Sequence, residues 1–266
     1  MRRRSLDYLA THIDQLSERD RAILTDLENT RVLTGAQLQR LRFADIATSA
    51  RARDRRRVLA RLTYHGFVST LDRRIGGVRA GSAGHVYRLT PTARRLLDMQ
   101  RNQPARLLRT RTPGALFLNH ALEISQMYVN LIEASRTNDF CVSTFNTEPA
   151  CWHPTGNSAY LKPDAYLVLA TPTYQDCWWL EIDRATESRH RIKRKIQSYM
   201  DHLTTGGTGP DGIPPRILFT TPDTTRSATI RKVITTLATE TRADQMVCVT
   251  THADAPQFLV KELAEP

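Results

Sequence analysis

Asp164, Glu181 and Asp183 are the side chains of this sequence best placed to do chemistry together. They sit in Leu161-Lys162-Pro163-Asp164, then an apolar run, then Trp178-Trp179-Leu180-Glu181-Ile182-Asp183, ahead of a basic helix that ends in Tyr199. Residues 166–169 and 178–182 read as buried strands, because they are apolar, β-branched or aromatic and bounded by turn residues. Side chains alternate between faces along a strand, so Glu181 and Asp183 point the same way. Asp164 opens the preceding strand. If the two strands pair, three carboxylates converge at one end of a sheet. Such a group repels itself unless a divalent cation or a shared proton compensates. Oxygen-rich clusters suit Mg²⁺ or Mn²⁺, and Mg²⁺ is a common tool for cutting phosphodiesters. Asp164, Glu181 and Asp183 are the expected metal ligands.

The elements that would position this cluster follow from periodicity. Residues 114–136 read as a long helix whose apolar stripe holds Leu116, His120, Ile124, Met127, Tyr128 and Leu131, with Glu123 at its border. Residues 140–146 form a strand, with Glu148 just after it. Residues 213–221 are a further strand, 227–239 a helix and 246–250 another strand. The order is helix, three strands, helix, strand, helix, strand. It fits a mixed α/β sheet with the acidic cluster on its middle strands.

Charge divides the chain. Residues 1–112 hold 24 Arg, no Lys and 10 acidic residues, a balance of +14, whereas the remainder carries −3. That asymmetry points to a nucleic-acid-binding module joined to a second domain. A basic module gains affinity by releasing counterions from phosphates. Ser17-x-x-Asp20 resembles a capping box ahead of Ile23, Leu24 and Leu27, and Thr34-x-x-Gln37 starts a second short helix. Thr48 or Ser49 caps a third helix that runs to about His65 and stops at Gly66. Residues 67–71 and 85–89 are strands around a glycine-rich basic turn, and Thr90-Pro91 opens another helix. Three helices, a hairpin and a helix is the order of a winged helix-turn-helix.

In the third helix, Val58, Leu59 and Leu62 share one face with Arg55 beside them. Arg53, Arg56 and Arg57 lie opposite, with Arg61 at the flank. Arginines on an outward face suit the major groove of double-stranded DNA. Arg73, Arg74 and Arg79 in the turn would reach the backbone or the minor groove. The expected organisation is a DNA-binding domain over 1–102, a linker over 103–113 and an α/β domain over 114–266.

Several classes are set aside. No apolar run approaches the roughly 20 residues that span a bilayer. No secretory signal is visible, since no apolar core follows the basic residues after Met1. Four scattered cysteines without a Cys-x-x-Cys pair read as reduced thiols of a cytoplasmic protein, not a zinc site. Gly207-x-Gly209-x-x-Gly212 fits a dinucleotide fingerprint, but Pro214-Pro215 follows where a helix should start. There is no phosphate-binding Gly-Lys-Ser/Thr loop, no nucleophile elbow and no His-x-His pair.

Pro163-Asp164 followed by Glu181-x-Asp183 resembles the PD-(D/E)XK nuclease superfamily, with Asp183 where that superfamily has lysine. A lysine from the following helix would substitute. Lys195 lies three and four residues from Ile192 and Tyr199 on the inward stripe, whereas Lys193 faces outward. The segments Leu161-Lys-Pro-Asp-Ala-Tyr-Leu-Val-Leu and Trp179-Leu-Glu-Ile-Asp-Arg-Ala-Thr-Glu-Ser188, with Lys195 and Tyr199, resemble the replication-relaxation family of plasmids and integrative elements. That family is similar to a minority class of mobilisation relaxases built on a nuclease-type core. The resemblance implies a winged helix followed by a PD-(D/E)XK-like domain. It implies metal at Asp164, Glu181 and Asp183, with Glu148 a fourth carboxylate and Lys195 near the scissile phosphate.

Two readings stay open. One is a metal-dependent enzyme that nicks DNA at an origin of transfer or replication, by metal-bound water or by attack of Tyr199. The other is a non-catalytic DNA-binding replication, mobilisation or regulatory factor. His120, on an apolar helix face, reads as a packing residue before a catalytic one.

Overall fold

The computed structural model describes residues 5–74, 84–100, 114–156, 159–238 and 241–264. The chain is mixed α/β and folds as two compact units, residues 1–129 and 130–266. The expected linker at 103–113 lies outside the described residues. The division falls at residue 129, within a helix, so most of that helix packs with the first unit rather than the second.

The first unit begins with α1 (Leu6–Ile13), which the sequence reading did not anticipate, and α2 (Glu18–Thr30). Then come β1 (Leu33–Thr34), α3 (Gly35–Arg42) and α4 (Thr48–His65). Strands β2 (Val68–Arg74) and β3 (His85–Leu89), then α5 (Pro91–Gln100) and the larger part of α6 (Ala115–Ser135), complete it. The three strands form an antiparallel sheet in the order β1-β3-β2.

Local chemistry sets these boundaries. Ser17 and Thr34 both form reciprocal capping boxes, with Asp20 and Gln37 respectively; a cap of this kind contributes about 1 kcal/mol. Neither Thr48 nor Ser49 caps α4: both are helical, and Ala47 stands at the N-cap with no side-chain bond. Its end is as expected, since Gly66 takes the left-handed conformation at φ 82° that a side chain would disfavour. Thr90 Oγ1 accepts from the Ala93 amide at 3.1 Å and caps α5.

Leu116 departs from its expected place on the apolar stripe, being 77% exposed. The buried part of the helix begins at Leu118, and Phe117 just before it lies under the Arg31 guanidinium at 5.0 Å. Leu118, Ala121 and Leu122 pack against Val32, Leu71 and Val86, and Ser125 Oγ donates to Val32 O at 2.6 Å.

The second unit carries β4 (Cys141–Thr147), β5 (His153–Pro154), β6 (Tyr160–Leu161), β7 (Ala165–Ala170) and β8 (Gln175–Ile182). Then follow α7 (Arg189–Thr204), β9 (Arg216–Thr221), α8 (Thr224–Ala238), α9 (Ala243–Met246), β10 (Val247–Thr251) and α10 (Ala255–Ala264). The short β5–β6 pair, α9 and α10 are additions to the sequence reading. The main sheet runs β10-β9-β8-β7-β4, with β8, β9 and β10 parallel and β7 antiparallel to both its neighbours.

The central strands β7, β8 and β9 are covered on both faces, which explains the unbroken apolar runs of β7 and β8. Trp179, Tyr166, Ile192, Ile196, Tyr199, Phe219 and Ile230 form the core between this sheet and α7 and α8. This topology brings the ends of β4, β8, β9 and β10 and the start of β7 to one edge of the sheet. Glu148, Asp164, Glu181 and Asp183 all lie at or next to that edge.

Candidate active site

Asp164 ends the pairing of β7 with β8. Its amide donates to Leu180 O at 3.0 Å, but the Ile182 amide finds the Asp164 side chain, Oδ2, at 2.7 Å. A carboxylate thus takes the place of a ladder carbonyl where the strands part. Pro163, immediately before it, supplies no amide and instead accepts at its carbonyl from Cys151 Sγ at 3.0 Å.

One position past the Ala165–Leu180 pair, Glu181 stands beside Asp164 and is 1% exposed. Both of its oxygens are engaged from α7. Lys195 Nζ donates to Oε2 at 2.8 Å and the Tyr199 hydroxyl donates to Oε1 at 2.6 Å. Lys195 and Tyr199 are four residues apart, so one face of α7 delivers both. Ile192 and Ile196 bury that face against the sheet, which fixes the helix and hence the two donors.

Electrostatics follow from burial. Removal from water raises the Glu181 carboxyl to about 7; Lys195 opposes this rise and Asp164 adds to it. Burial alone would lower Lys195, but Glu181, Asp164 and Glu187 together hold it above its ordinary value. Lys195 therefore stays a cation. Burial, and then the charge of Glu181, push the Tyr199 hydroxyl well above its ordinary value. Burial likewise raises the Cys151 thiol, with Glu148 and Asp164 contributing, so it is no ready nucleophile.

Asp183 shares the face of Glu181 but not its partners. Arg226 of α8 grips it with two bonds, Nε to Oδ2 at 2.7 Å and Nη2 to Oδ1 at 2.9 Å. The Ala185 amide donates to the same Oδ2 at 3.0 Å. The expected convergence of three carboxylates becomes a pair plus a separately neutralised third. The physical reason is Arg226, which arrives from 43 residues away and leaves no signal beside Asp183 in the sequence. Among the described residues no three His, Cys, Asp or Glu side chains gather in an arrangement that could hold a metal ion.

Two carboxylates are nevertheless a donor set that fits Mg²⁺ or Mn²⁺, which commonly take one or two carboxylates and complete their shell with water and substrate phosphates. Asp164 and Glu181 are those two. Glu148 follows the end of β4 next to Asp164 in the sheet order and contributes its charge to the Cys151 environment. His120 and Glu123 lie on the stretch of α6 that belongs to the first unit, whereas the cluster is built by the second.

The arginines divide as the helical period requires. On α4, Leu59 and Leu62 are buried, Val58 is half-buried, and Arg53, Arg56 and Arg57 are exposed. Arg55 turns inward, donating to Gln39 Oε1 at 2.9 Å. Arg61 is anchored to Asp20 at 2.6 and 2.7 Å, and so braces α4 on α2. Arg73 and Arg74 end β2; Arg79 lies outside the described residues.

The pattern that defines the replication-relaxation family matches residues 24–217, most of the chain. The match takes in α3 and α4, the Asp164–Glu181 pair, Lys195 and Tyr199. No curated protein and no solved structure matches. The chain belongs to the replication-relaxation family. Among the described residues no helix is long and apolar enough to cross a membrane.

Proposed function

We propose that this member of the replication-relaxation family binds duplex DNA through a winged helix and nicks it at an origin of replication or transfer of a mobile element. The nicking site is the Asp164–Glu181–Lys195 cluster on a PD-(D/E)XK-like core. The observation that carries the reading is the 2.8 Å bond from Lys195 to Glu181, beside Asp164. The lysine missing from position 183 is supplied by α7, one helix later.

Asp164 and Glu181 would hold Mg²⁺ or Mn²⁺; when bound, the cation polarises a phosphate oxygen and makes a bound water more acidic. The remaining work falls to the chain's own residues. Lys195 holds a positive charge, about one-third exposed, where negative charge develops on the scissile phosphate. Tyr199 fixes the orientation of Glu181 by donating to Oε1. Its hydroxyl is buried and bonded to a carboxylate, a poor situation for a nucleophile, which favours water as the attacking group. On α4, the exposed Arg53, Arg56 and Arg57 supply the contacts to the duplex, and Arg61 positions the helix.

The alternative, a DNA-binding factor without catalysis, draws support from Asp183, whose oxygens are held by Arg226. One assay separates the two. Supercoiled DNA carrying the origin of the cognate element is incubated with the protein, with and without Mn²⁺. The nicking reading expects a site-specific single-strand break with Mn²⁺, lost in Lys195→Ala and kept in Tyr199→Phe. Absence of any nick by the wild type would leave the non-catalytic reading. Wild-type protein trapped on the DNA end, with a folded but inactive Tyr199→Phe, would replace water by tyrosine as the nucleophile.

A further inference from the structure

A shallow cavity of about 240 Å³ lies between α7 and α8, apart from the Glu181 cluster. Arg189, His190 and Lys193 line it from α7, and Thr229, Lys232 and Val233 from α8. Three other cations on the same two helices have carboxylate partners. Arg191 and Lys195 pair with Glu187, Lys195 also with Glu181, and Arg226 with Asp183. Arg189, His190, Lys193 and Lys232 are all exposed, and among the described residues no carboxylate pairs with any of them. Like charges gathered around one depression repel each other, and the arrangement is relieved by an anion.

Helix polarity gives a second, independent indication. The first turn of α7 carries no acidic residue, whereas that of α2 carries Glu18 and Asp20. Cations at a helix N-terminus oppose the positive end of the helix dipole. Arg189 opens α7 in that unfavourable setting, and an anion in the cavity reverses its sign. Residues 113–266 carry a net acidic balance, so the patch is not a by-product of general basicity.

We propose that the α7–α8 groove is a second nucleic-acid contact, binding the phosphodiester backbone of DNA. Arg189 and Lys193 stand four residues apart, about 6 Å along the helix, with Lys232 across from them. A row of charges in an open groove matches a chain of phosphates better than a single small anion. Helix α7 then presents phosphate-binding cations on its outer face and Lys195 on its inner one. The identity of the anion rests on the reading of the chain as a DNA-handling protein; the site itself rests on the groove.

The test is binding of a labelled duplex by the full chain over a range of salt concentrations. Lys193→Ala with Lys232→Ala is compared with wild type, with Lys261→Ala and with Arg53→Ala plus Arg57→Ala. All three lysines are exposed, and circular dichroism verifies folding. Loss of two phosphate contacts lowers the slope of log affinity against log salt by about 1.8, and Lys261→Ala leaves it unchanged. Two outcomes overturn the groove while the proposed function stands. One is wild-type slope and affinity in the double lysine variant with reduced binding in the arginine variant. The other is an equal loss in Lys261→Ala. If the wild type binds no DNA, calorimetry with inorganic pyrophosphate is read. Heat that depends on Lys193 and Lys232 overturns the phosphodiester assignment in favour of a small anion, and no heat overturns the site altogether.

Discussion

Each unit of the molecule contains a buried carboxylate held by a cation and a tyrosine hydroxyl. In the first unit, Asp26 is fully buried, receives two bonds of 2.6 Å from Arg42 and accepts from the Tyr128 hydroxyl at 2.9 Å. In the second, Glu181 receives Lys195 and Tyr199. The parts are alike and the arrangements are not. Arg42 is a planar fork that locks both oxygens of Asp26 and cannot give up its proton. Lys195 is a point charge on one oxygen, and a second carboxylate, Asp164, stands beside the pair. The first triad is closed and serves to join α2, α3 and α6. The second lies at the edge of a sheet where strands end, with a carboxyl raised to about 7 and a cation that can turn to another oxygen anion. A buried ion pair alone is therefore weak evidence of function. The adjacent second carboxylate and the lysine geometry are what distinguish the Glu181 site.

Mutating the two triads in parallel breaks or sharpens that contrast. The largest effect is expected from Asp26→Ala, which leaves Arg42 and the Tyr128 hydroxyl without their partner and costs about 3–5 kcal/mol. Denaturant unfolding measures it, and a loss under about 1 kcal/mol would show that the first triad is not structural. Lys195→Ala, in contrast, should reduce nicking by roughly 10²–10³-fold, read as single-turnover rate on saturating DNA. Arg42→Ala should leave the rate per folded molecule unchanged. Next comes the arginine face of α4. Arg53→Ala should weaken duplex binding by about 1–3 kcal/mol if it contacts a base, and fluorescence anisotropy at fixed salt measures the loss. Arg61→Ala should act through stability, because its guanidinium holds Asp20.

The contrast also reaches the pH dependence of stability. The folded Glu181 carboxyl is raised by burial from 4.5 to about 7. Between those values the folded chain keeps a proton that the unfolded chain has released. The group's contribution is full below 4.5 and is lost as pH rises through about 7. Glu181→Gln should flatten this part of the stability profile, and an unchanged slope would place the titration elsewhere.

What could be read in advance was whatever is written locally. Ser17 with Asp20, Thr34 with Gln37 and Gly66 mark helix ends within a few residues, and all three behave accordingly. Lys195 was legible because its spacing from Ile192 and Tyr199 is a helical period. The pairing of Asp164 with Glu181 followed from two adjacent apolar strands. What escaped depends on distant chain. Arg226 meets Asp183 only because β8 and β9 run parallel and place α8 beside the end of β8. Nothing in the period of α6 shows where its packing begins, so Leu116 looked buried and the unit boundary was expected earlier. The α7–α8 groove needed both helices side by side, since its cations come from two segments some 40 residues apart.

Under the proposed function, Asp164, Glu181 and Lys195 form the working site, while Asp183 is a structural partner of Arg226. The most direct measurement compares Glu181→Gln with Asp183→Asn in Mn²⁺-dependent nicking of origin DNA, with duplex binding recorded for both. Each substitution removes one charge from neighbouring positions of the same strand. Glu181→Gln is expected to bind DNA and cut none, whereas Asp183→Asn cuts at a rate within about tenfold of wild type, a change of no more than about 1.4 kcal/mol. Equal loss of cutting in the two folded variants would contradict it and return Asp183 to the site.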